Sequence, residues 1–376
     1  MLRELQQKRY VQFAGPLAGR VCGFYEENGL RILVTSSPRL ITPSPGRWDT
    51  LKTLFQNLFW GDREPYGVEQ ERAFYGWLKT GFEALRIYKF QPGQALAMAG
   101  PPDAGKSLTQ QIITEILGGR SAKAAMFLQG RTDFNSDLLG AEHLTLEDEH
   151  ASTSYAARRE LASALKNITA NSRHPCHAKH RDIVHLCPWW RVTISLNDQP
   201  ERLLILPNLD ADNANKLILL RADCYDMPMP CLKPEEKHLF WRKLLSELPA
   251  FLHWLVNDYQ IPCDCSDSRF GIKSWHNPAL VAALQELSPA MHLLELIDRA
   301  DIWEVQAASW EGEPLQLRAL LFENPRIQRD AAKLLGWQSA CGQYLAELAK
   351  IRPMRVKLLA RSGHRCRYEI CREITL

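Results

Sequence analysis

The chain has 376 residues, 45% of them hydrophobic and 24% charged, and a net charge of only +3. This length exceeds one typical domain, and the ordinary globular composition excludes a polycation. No stretch approaches the ~20 continuous apolar residues of a membrane span, and the charged start Met1-Leu2-Arg3-Glu4 lacks the apolar core of a signal peptide. A cytoplasmic protein with no membrane partner is therefore expected.

In chain order, residues 1–85 read as a small α/β accessory or oligomerisation domain. Leu30–Thr35 alternates like a strand and is stopped by Ser36-Ser37-Pro38. A Pro/Gly/Ser-rich link from Thr42 to Gly46 follows, then helical spacing over Trp48–Trp60 and Glu69–Ile87. No strand here carries the paired aspartates of a primase or polymerase centre.

Residues 86–232 alternate strands and helices, as an α/β nucleotide-binding domain should. The apolar run Gln94–Ala99 predicts a buried parallel strand. It enters Gly100-Pro101-Pro102-Asp103-Ala104-Gly105-Lys106-Ser107, which fits G-x-x-x-x-G-K-[ST]. In such a loop the glycines let backbone N–H groups turn toward phosphate oxygens, the lysine reaches the β- and γ-phosphates, and the serine hydroxyl ligates Mg²⁺. Leu108, Ile112, Ile113, Ile116 and Leu117 then mark one helical face, ended by Gly118-Gly119. ATP and Mg²⁺ are the implied cofactors.

His143-Leu144-Thr145-Leu146 leads into Glu147, Asp148 and Glu149. A nucleotide hydrolase needs a carboxylate on the metal and another to activate water. Glu147 with Asp148 fits one register and Asp148 with Glu149 the other, so Asp148 is the first choice as metal ligand beside Ser107. The acids could also cap the segment starting at Ala151. A basic stretch follows: Arg158, Arg159, Lys166, Arg173, Lys179, Arg181 and Arg191. Trp189-Trp190 reads as core beside a strand, with base stacking as the alternative. The alternating strand Arg191–Leu196 ends in Asn197, whose amide can orient water or sense a γ-phosphate.

Residues 233–300 read as a helical domain. Within 301–376, helices are expected at Leu315–Phe322, Arg326–Leu335 and Ser339–Lys350. A hairpin of Arg355–Leu359 and Arg367–Ile370 turns at Ser362-Gly363-His364. Three helices and a hairpin suggest a winged helix, with Arg355, Lys357, Arg361, Arg365 and Arg367 facing phosphates; a packing module or a solvated hairpin is the other reading. Ten cysteines are expected as reduced thiols. Cys263-Asp264-Cys265, and Cys176 among His174, His177 and His180, lack a second pair at zinc-finger spacing.

Taken together, the set from Gly100 to Asn197 resembles the superfamily 3 helicases, the hexameric AAA+-type motors of small DNA viruses, phages, satellites and plasmids. Gly100–Ser107 looks like their motif A, Glu147-Asp148-Glu149 like motif B, and Leu196-Asn197 like motif C. Between B and C, Ala178-Lys179-His180-Arg181 before Ile183–Pro188 resembles the pre-sensor hairpin of the papillomavirus replication helicase, and Ala164–Thr169, with Lys166, resembles the B′ region of phage-type members. Ala104 stands where threonine is frequent. The resemblance implies a P-loop AAA+-like core, ATP hydrolysis, 3′-to-5′ translocation and a homo-hexamer. It also implies DNA contacts from Lys166, Lys179, His180 and Arg181, single-stranded and forked DNA as partners, and a separately encoded primase or polymerase. A basic residue acting on a neighbouring subunit's nucleotide would be Arg202, Lys216 or Arg221; Lys216 stands roughly where viral relatives carry arginine, and a lysine would lack arginine's planar fork. Two other functions compete: an ATP-switched replication initiator or loader without processive unwinding, and a small-molecule kinase.

Overall fold

The computed structural model describes residues 10–59, 66–147, 155–178, 182–209, 212–223, 226–303, 307–362 and 365–372. The chain divides into two compact units, Met1–Val281 and Ala282–Leu376.

The first unit contains β1 (Phe13–Gly15), β2 (Gly23–Glu27), β3 (Leu30–Val34), β4 (Ala95–Gly100), β5 (Ser121–Lys123) and β6 (His143–Glu147). These are followed by β7 (His174–Cys176), β8 (Val184–Leu186), β9 (Arg191–Asn197), β10 (Leu217–Arg221), β11 (Ser266–Asp267) and β12 (Gly271–Ile272). Its helices are α1 (Asp49–Phe59), α2 (Gly67–Arg86), α3 (Lys106–Ile116), α4 (Ala125–Leu128), α5 (Tyr155–Ala170), α6 (Pro200–Leu203) and α7 (Pro234–His253). A five-stranded sheet in the order β10-β4-β9-β6-β5 forms the centre, and every pairing in it is parallel. The mixed α/β architecture around a parallel sheet agrees with the expected P-loop-like core. β4 and β10 are nearly continuous apolar runs because both faces are covered, as in parallel sheets generally.

Alternation in β9 has a different meaning. Arg191 through Leu196 are all buried. The polar residues of the strand are therefore satisfied internally rather than by water. Thr193 is the clearest case. Gln110 Nε2, on α3, donates to Thr193 Oγ1 at 2.8 Å, and Thr193 Oγ1 lies 2.8 Å from His143 Nε2. Thr114 Oγ1 donates to the Gln110 carbonyl at 3.0 Å and lies 2.7 Å from His143 Nδ1. Of the two neutral tautomers, only one satisfies every bond: Nδ1 carries the proton and donates to Thr114, while Nε2 accepts from Thr193. The hydrogen bonds thus close a loop through α3, β6 and β9. Burial keeps the imidazole neutral, holding the His143 pKa down at about 3.

The helices α1 and α2 share one hydrophobic core with the sheet: Leu51, Phe55, Phe74 and Trp77 are buried in the same cluster as Leu96, Met98, Ile218 and Leu220. They also close the sheet's β10 edge, a row of unpaired backbone groups that would otherwise template pairing. Gln70 Oε1 accepts from the Arg221 N–H at 2.6 Å, and the Leu58 carbonyl accepts from Asp223 N–H at 2.9 Å. Leu219 exchanges bonds with Trp275 and Asn277. Helix α7 is fixed to α1 by the buried Glu247, which accepts from Thr50 Oγ1 at 2.8 Å and Leu51 N–H at 2.9 Å. A carboxylate at the first turn of α1 also complements its dipole.

Part of the basic stretch proves internal. Arg191 is 2% exposed, stacks on Trp189 at 4.6 Å, and donates to the Gln91 and Trp190 carbonyls. Arg158 is buried and donates to the Leu206 carbonyl. Long cationic stems bury well when the head finds carbonyls, and a one-dimensional charge run does not reveal that. Trp189 and Trp190 are both buried, in agreement with the core reading.

The second unit holds α9 (Pro289–Ala300), α10 (Pro314–Glu323), α11 (Gln328–Leu334) and α12 (Ala340–Ile351), after α8 (Pro278–Glu286) has crossed the boundary. Its sheet comprises β13 (Ser309–Gly312), β14 (Val356–Ser362) and β15 (Arg365–Cys371) in the order β13-β15-β14, all antiparallel. The expected hairpin is present; β13 was not anticipated. Arg355 pairs with Asp298 at 2.5 Å and donates to the Cys371 carbonyl at 2.9 Å, while the half-exposed Lys357 pairs with Glu369 at 3.3 Å. The side chains of Arg361 and Arg365 lie outside the described set. No single described helix is long and apolar enough to cross a membrane; a bent pair, Pro278–Glu286 with Pro289–Ala300, meets the length and composition only when its two parts are combined. Leu293, Leu294, Leu296 and Ile297 of that pair are buried in this unit's core.

Candidate nucleotide-binding site

The loop Gly100–Ser107 joins the end of β4 to the first turn of α3. Two of its residues have left-handed backbone, Asp103 (φ 59°) and Gly105 (φ 92°). Such a conformation turns successive N–H groups toward one point and forms an anion nest, here at a helix N-terminus. Gly105 serves that turn. Gly100 serves packing instead: a Cβ there would lie 2.1 Å from the Ala222 carbonyl oxygen. The two motif glycines therefore answer different physical demands. Gly100→Ala should destabilise the fold by about 2–4 kcal/mol, as overpacking against rigid backbone does. A thermal melt unchanged from wild type would refute that role.

Lys106 is 7% exposed and lies under the loop, with Nζ donating to the Gly100 carbonyl at 2.8 Å and the Pro101 carbonyl at 2.6 Å. Asn197 Oδ1 is 3.5 Å from the same nitrogen. The strand order explains this approach. β9 lies beside β4, and Asn197 pairs in register with Gly100. β6 lies on the other side of β9, with Glu147 opposite Ser195. The amide therefore stands between the lysine and the carboxylate. Glu147 forms an ion pair with Lys123 at 3.1 Å, a partner that the sequence pattern did not suggest. Asp148 and Glu149 lie outside the described residues.

Loop residues Pro102–Ser107, Glu147, Ser195, Leu196 and Asn197 line one cleft of about 730 Å³. Its opposite wall consists of Met227, Cys231, Lys237, His238, Phe240 and Trp241, residues of α7 and the approach to it. Sequence reasoning missed this wall, because the α7 pattern shows a helix with an apolar face and nothing about what that face meets. The site fits a nucleoside triphosphate with Mg²⁺. The nest, the helix terminus and Lys106 are donors for phosphate, while the Ser107 hydroxyl and Glu147 carboxylate are hard oxygen ligands in the same cleft. Trp241, Phe240 and Met227 give an apolar surface suited to a base.

The remaining described candidates do not line this cleft. Arg221 ends β10, where its backbone is held by Gln70. Lys216 precedes β10, at the other end of the sheet, roughly 16 Å from the loop end by strand rise. It donates to Asn215 Oδ1 at 2.6 Å and stands 5.6 Å from the Phe270 ring centre. Lys166 pairs with Asp212 at 3.2 Å. Lys179, His180 and Arg181 lie outside the described residues, but the chain on both sides is described: β7 and β8 pair antiparallel, His174 with Leu186 and Cys176 with Val184. Asn135 clamps the base of this ladder, donating to the Pro175 carbonyl at 2.7 Å and accepting from His177 N–H at 2.8 Å. Among the described residues, no group of three or more His, Cys, Asp or Glu is placed to hold a metal ion.

No protein-family model and no curated protein matches the chain. Among solved structures, it is similar to an apo structure of the NrS-1 C-terminal region (305–718), with a TM-score of 0.54 and 14% identity over 95% of this chain and 84% of that one. The A form of the same region gives a TM-score of 0.51 at 14% identity over the same shares. A structure of JCV helicase with a bound acetamide compound aligns over 66% of this chain and 70% of that one, at 16% identity and a TM-score of 0.32. At 14% identity, what this chain has in common with the NrS-1 C-terminal region is its fold.

Proposed function

We propose that the chain is an ATP-driven DNA translocase of the superfamily 3 type, acting as a homo-hexamer that moves 3′ to 5′ and opens forked DNA. The observation that carries the reading is the convergence of Lys106, Asn197 and Glu147 on one cleft, with Asn197 Oδ1 3.5 Å from Lys106 Nζ. The bound nucleotide with Mg²⁺ supplies a phosphoanhydride activated for in-line attack. Lys106 and the loop N–H groups hold its phosphates, Ser107 and Asp148 hold the metal, and Glu147 or Glu149 takes the proton of the attacking water. Asn197 orients that water. Lys216 or Arg221 reaches the nucleotide of the adjacent subunit, which accords with Lys216 standing far from its own loop.

The DNA grip belongs to Lys179, His180 and Arg181, carried between β7 and β8, and to Lys166. Cations on phosphate give binding that is salt-dependent and tolerant of sequence. The antiparallel ladder β7–β8 and its Asn135 clamp hold the chain on either side of these residues together, which supports the reading. In the second unit, α9, β13, α10, α12 and the β14–β15 hairpin support a winged helix, although Arg355 is held by Asp298.

The test is strand displacement from forks with a single-stranded tail of either polarity, run beside ATP hydrolysis. Wild type should displace the strand with a 3′ loading tail. Lys179→Ala should lose displacement while keeping DNA-independent hydrolysis. Hydrolysis stimulated by DNA with no displacement at either polarity would exclude the motor and leave an ATP-switched binder.

A further inference from the structure

At the end of the central sheet opposite the nucleotide cleft, cations from three separate segments meet. Lys166 comes from α5, Lys216 from the turn before β10, and Arg269 and Lys273 from the β11–β12 hairpin and the residue after it. Phe270, 4% exposed, organises two of them, with Lys216 Nζ 5.6 Å and Arg269 Cζ 5.0 Å from its ring centre. A cavity of about 280 Å³ opens beside them, lined by Asn215, Asp267, Arg269, Phe270, Lys273 and Ser274.

The nearby acids offset only part of this charge. Asp267 Oδ1 accepts from the N–H groups of Arg269 and Phe270 at 2.9 and 2.7 Å, shaping the hairpin turn. Asp212 pairs with Lys166. Among the described residues, Lys216, Arg269 and Lys273 form no ion pair. The crowding is felt at Lys216, whose pKa is lowered first by burial and then by the like charges of Arg269 and Lys166, against a smaller opposing pull from Asp212. Folding has brought like charges together around a donor-lined hollow, and an oxyanion would relieve them.

Three features favour a polynucleotide backbone as that oxyanion. The cations are spread over three segments rather than focused on one point. Asn215 and Ser274 add neutral donors suited to phosphate oxygens. Lys166 lies on the helix that leads, four residues after its end, into β7 and so toward the sequence Lys179-His180-Arg181. We propose that Lys166, Lys216, Arg269 and Lys273 form a phosphate-binding surface for a nucleic-acid strand, separate from the nucleotide cleft and from the β7–β8 ladder, which leaves Arg221 as the residue that reaches the adjacent subunit's nucleotide. This rests on the DNA-translocase reading above.

Fluorescence anisotropy of a labelled single-stranded oligonucleotide tests it, with the full chain titrated at several salt concentrations. The comparison is wild type against the double variant Arg269→Glu/Lys273→Glu and against Arg269→Lys. Each phosphate contact on a single strand contributes about 0.7 to the slope of log affinity against log salt. The double variant should therefore lose about 1.4 from that slope and bind at least ~10-fold more weakly at low salt, while Arg269→Lys stays close to wild type. Both substituted side chains are exposed, and a melt matching wild type will show that the fold is intact. Wild-type affinity and slope in the double variant would overturn the surface while leaving the translocase reading in place. Failure of wild type to bind any oligonucleotide would overturn both. Unchanged DNA affinity, with ATP turnover lost when the variant is mixed with wild-type subunits, would assign these cations to a neighbour's triphosphate and remove the strand assignment.

Discussion

Lys106→Ala should abolish nucleotide turnover, lowering the rate by roughly 10²–10³-fold or more, the scale expected when a preorganised charge on a transferring phosphoryl group is removed. The ammonium is held by the Gly100 and Pro101 carbonyls and stands beside Asn197, so its position is set before substrate arrives. Glu147→Gln makes the informative partner. It removes a carboxylate from the cleft but leaves the nest and the lysine, so a fluorescent ATP analogue should still bind while hydrolysis falls. Loss of binding with Lys106→Ala and retention with Glu147→Gln would separate phosphate capture from water activation. Turnover at the wild-type rate in Lys106→Ala would remove the site assignment altogether.

The second large effect is on stability and concerns His143. Its pKa in the folded chain is about 3, below the ordinary 6.5, because burial disfavours the imidazolium. The unfolded chain therefore binds a proton that the folded chain refuses. Stability from this group is complete above pH 6.5 and declines as pH falls toward 3, at about 1.4 kcal/mol per pH unit. Between pH 6.5 and 4.5 that amounts to roughly 2 kcal/mol. His143→Leu should cost about 1–3 kcal/mol at pH 7.5, since it removes the buried ring's two hydrogen bonds and leaves Thr114 and Thr193 bonded only to Gln110, and it should flatten the acid dependence. Urea unfolding of both proteins at pH 7.5, 6 and 5, followed by tryptophan fluorescence, measures this. Parallel pH dependences would show that the closed hydrogen-bond loop does not govern acid stability.

The two cases differ in how much of them is legible in the sequence. The phosphate loop is a contiguous motif between an apolar strand and a helix with one apolar face, and its chemistry is local. Asn197 is legible for the same reason: it ends a strand and follows the loop in order. The His143 loop is invisible, since it depends on β9 lying between β4 and β6, and nothing in the residue order from 95 to 197 states that arrangement. The same topology accounts for Arg191 and Arg158, which look like surface charge until the core is assembled around them. β13 escaped because four residues, Ser309–Gly312, carry too little periodicity to register and acquire strand geometry only by pairing with β15. The cation cluster at Phe270 was half legible: Lys166 and Lys216 stood out, assigned to unrelated tasks, while Arg269 and Lys273 carried no pattern at all.

The wall opposite the phosphate loop bears on how this protein could be told apart from others by a small molecule. A compound that mimics only the triphosphate meets the nest and Lys106, features shared by every chain with such a loop. One that extends from the base position meets Met227, Phe240 and Trp241, which no loop motif specifies. Because Glu247 ties the helix bearing two of these residues to the first turn of α1, that surface is held in place rather than left to adapt. If the cleft holds the nucleotide as proposed, chemical selectivity for this chain would reside in α7 and the segment leading to it, and resistance mutations would be expected there before they appear in the loop.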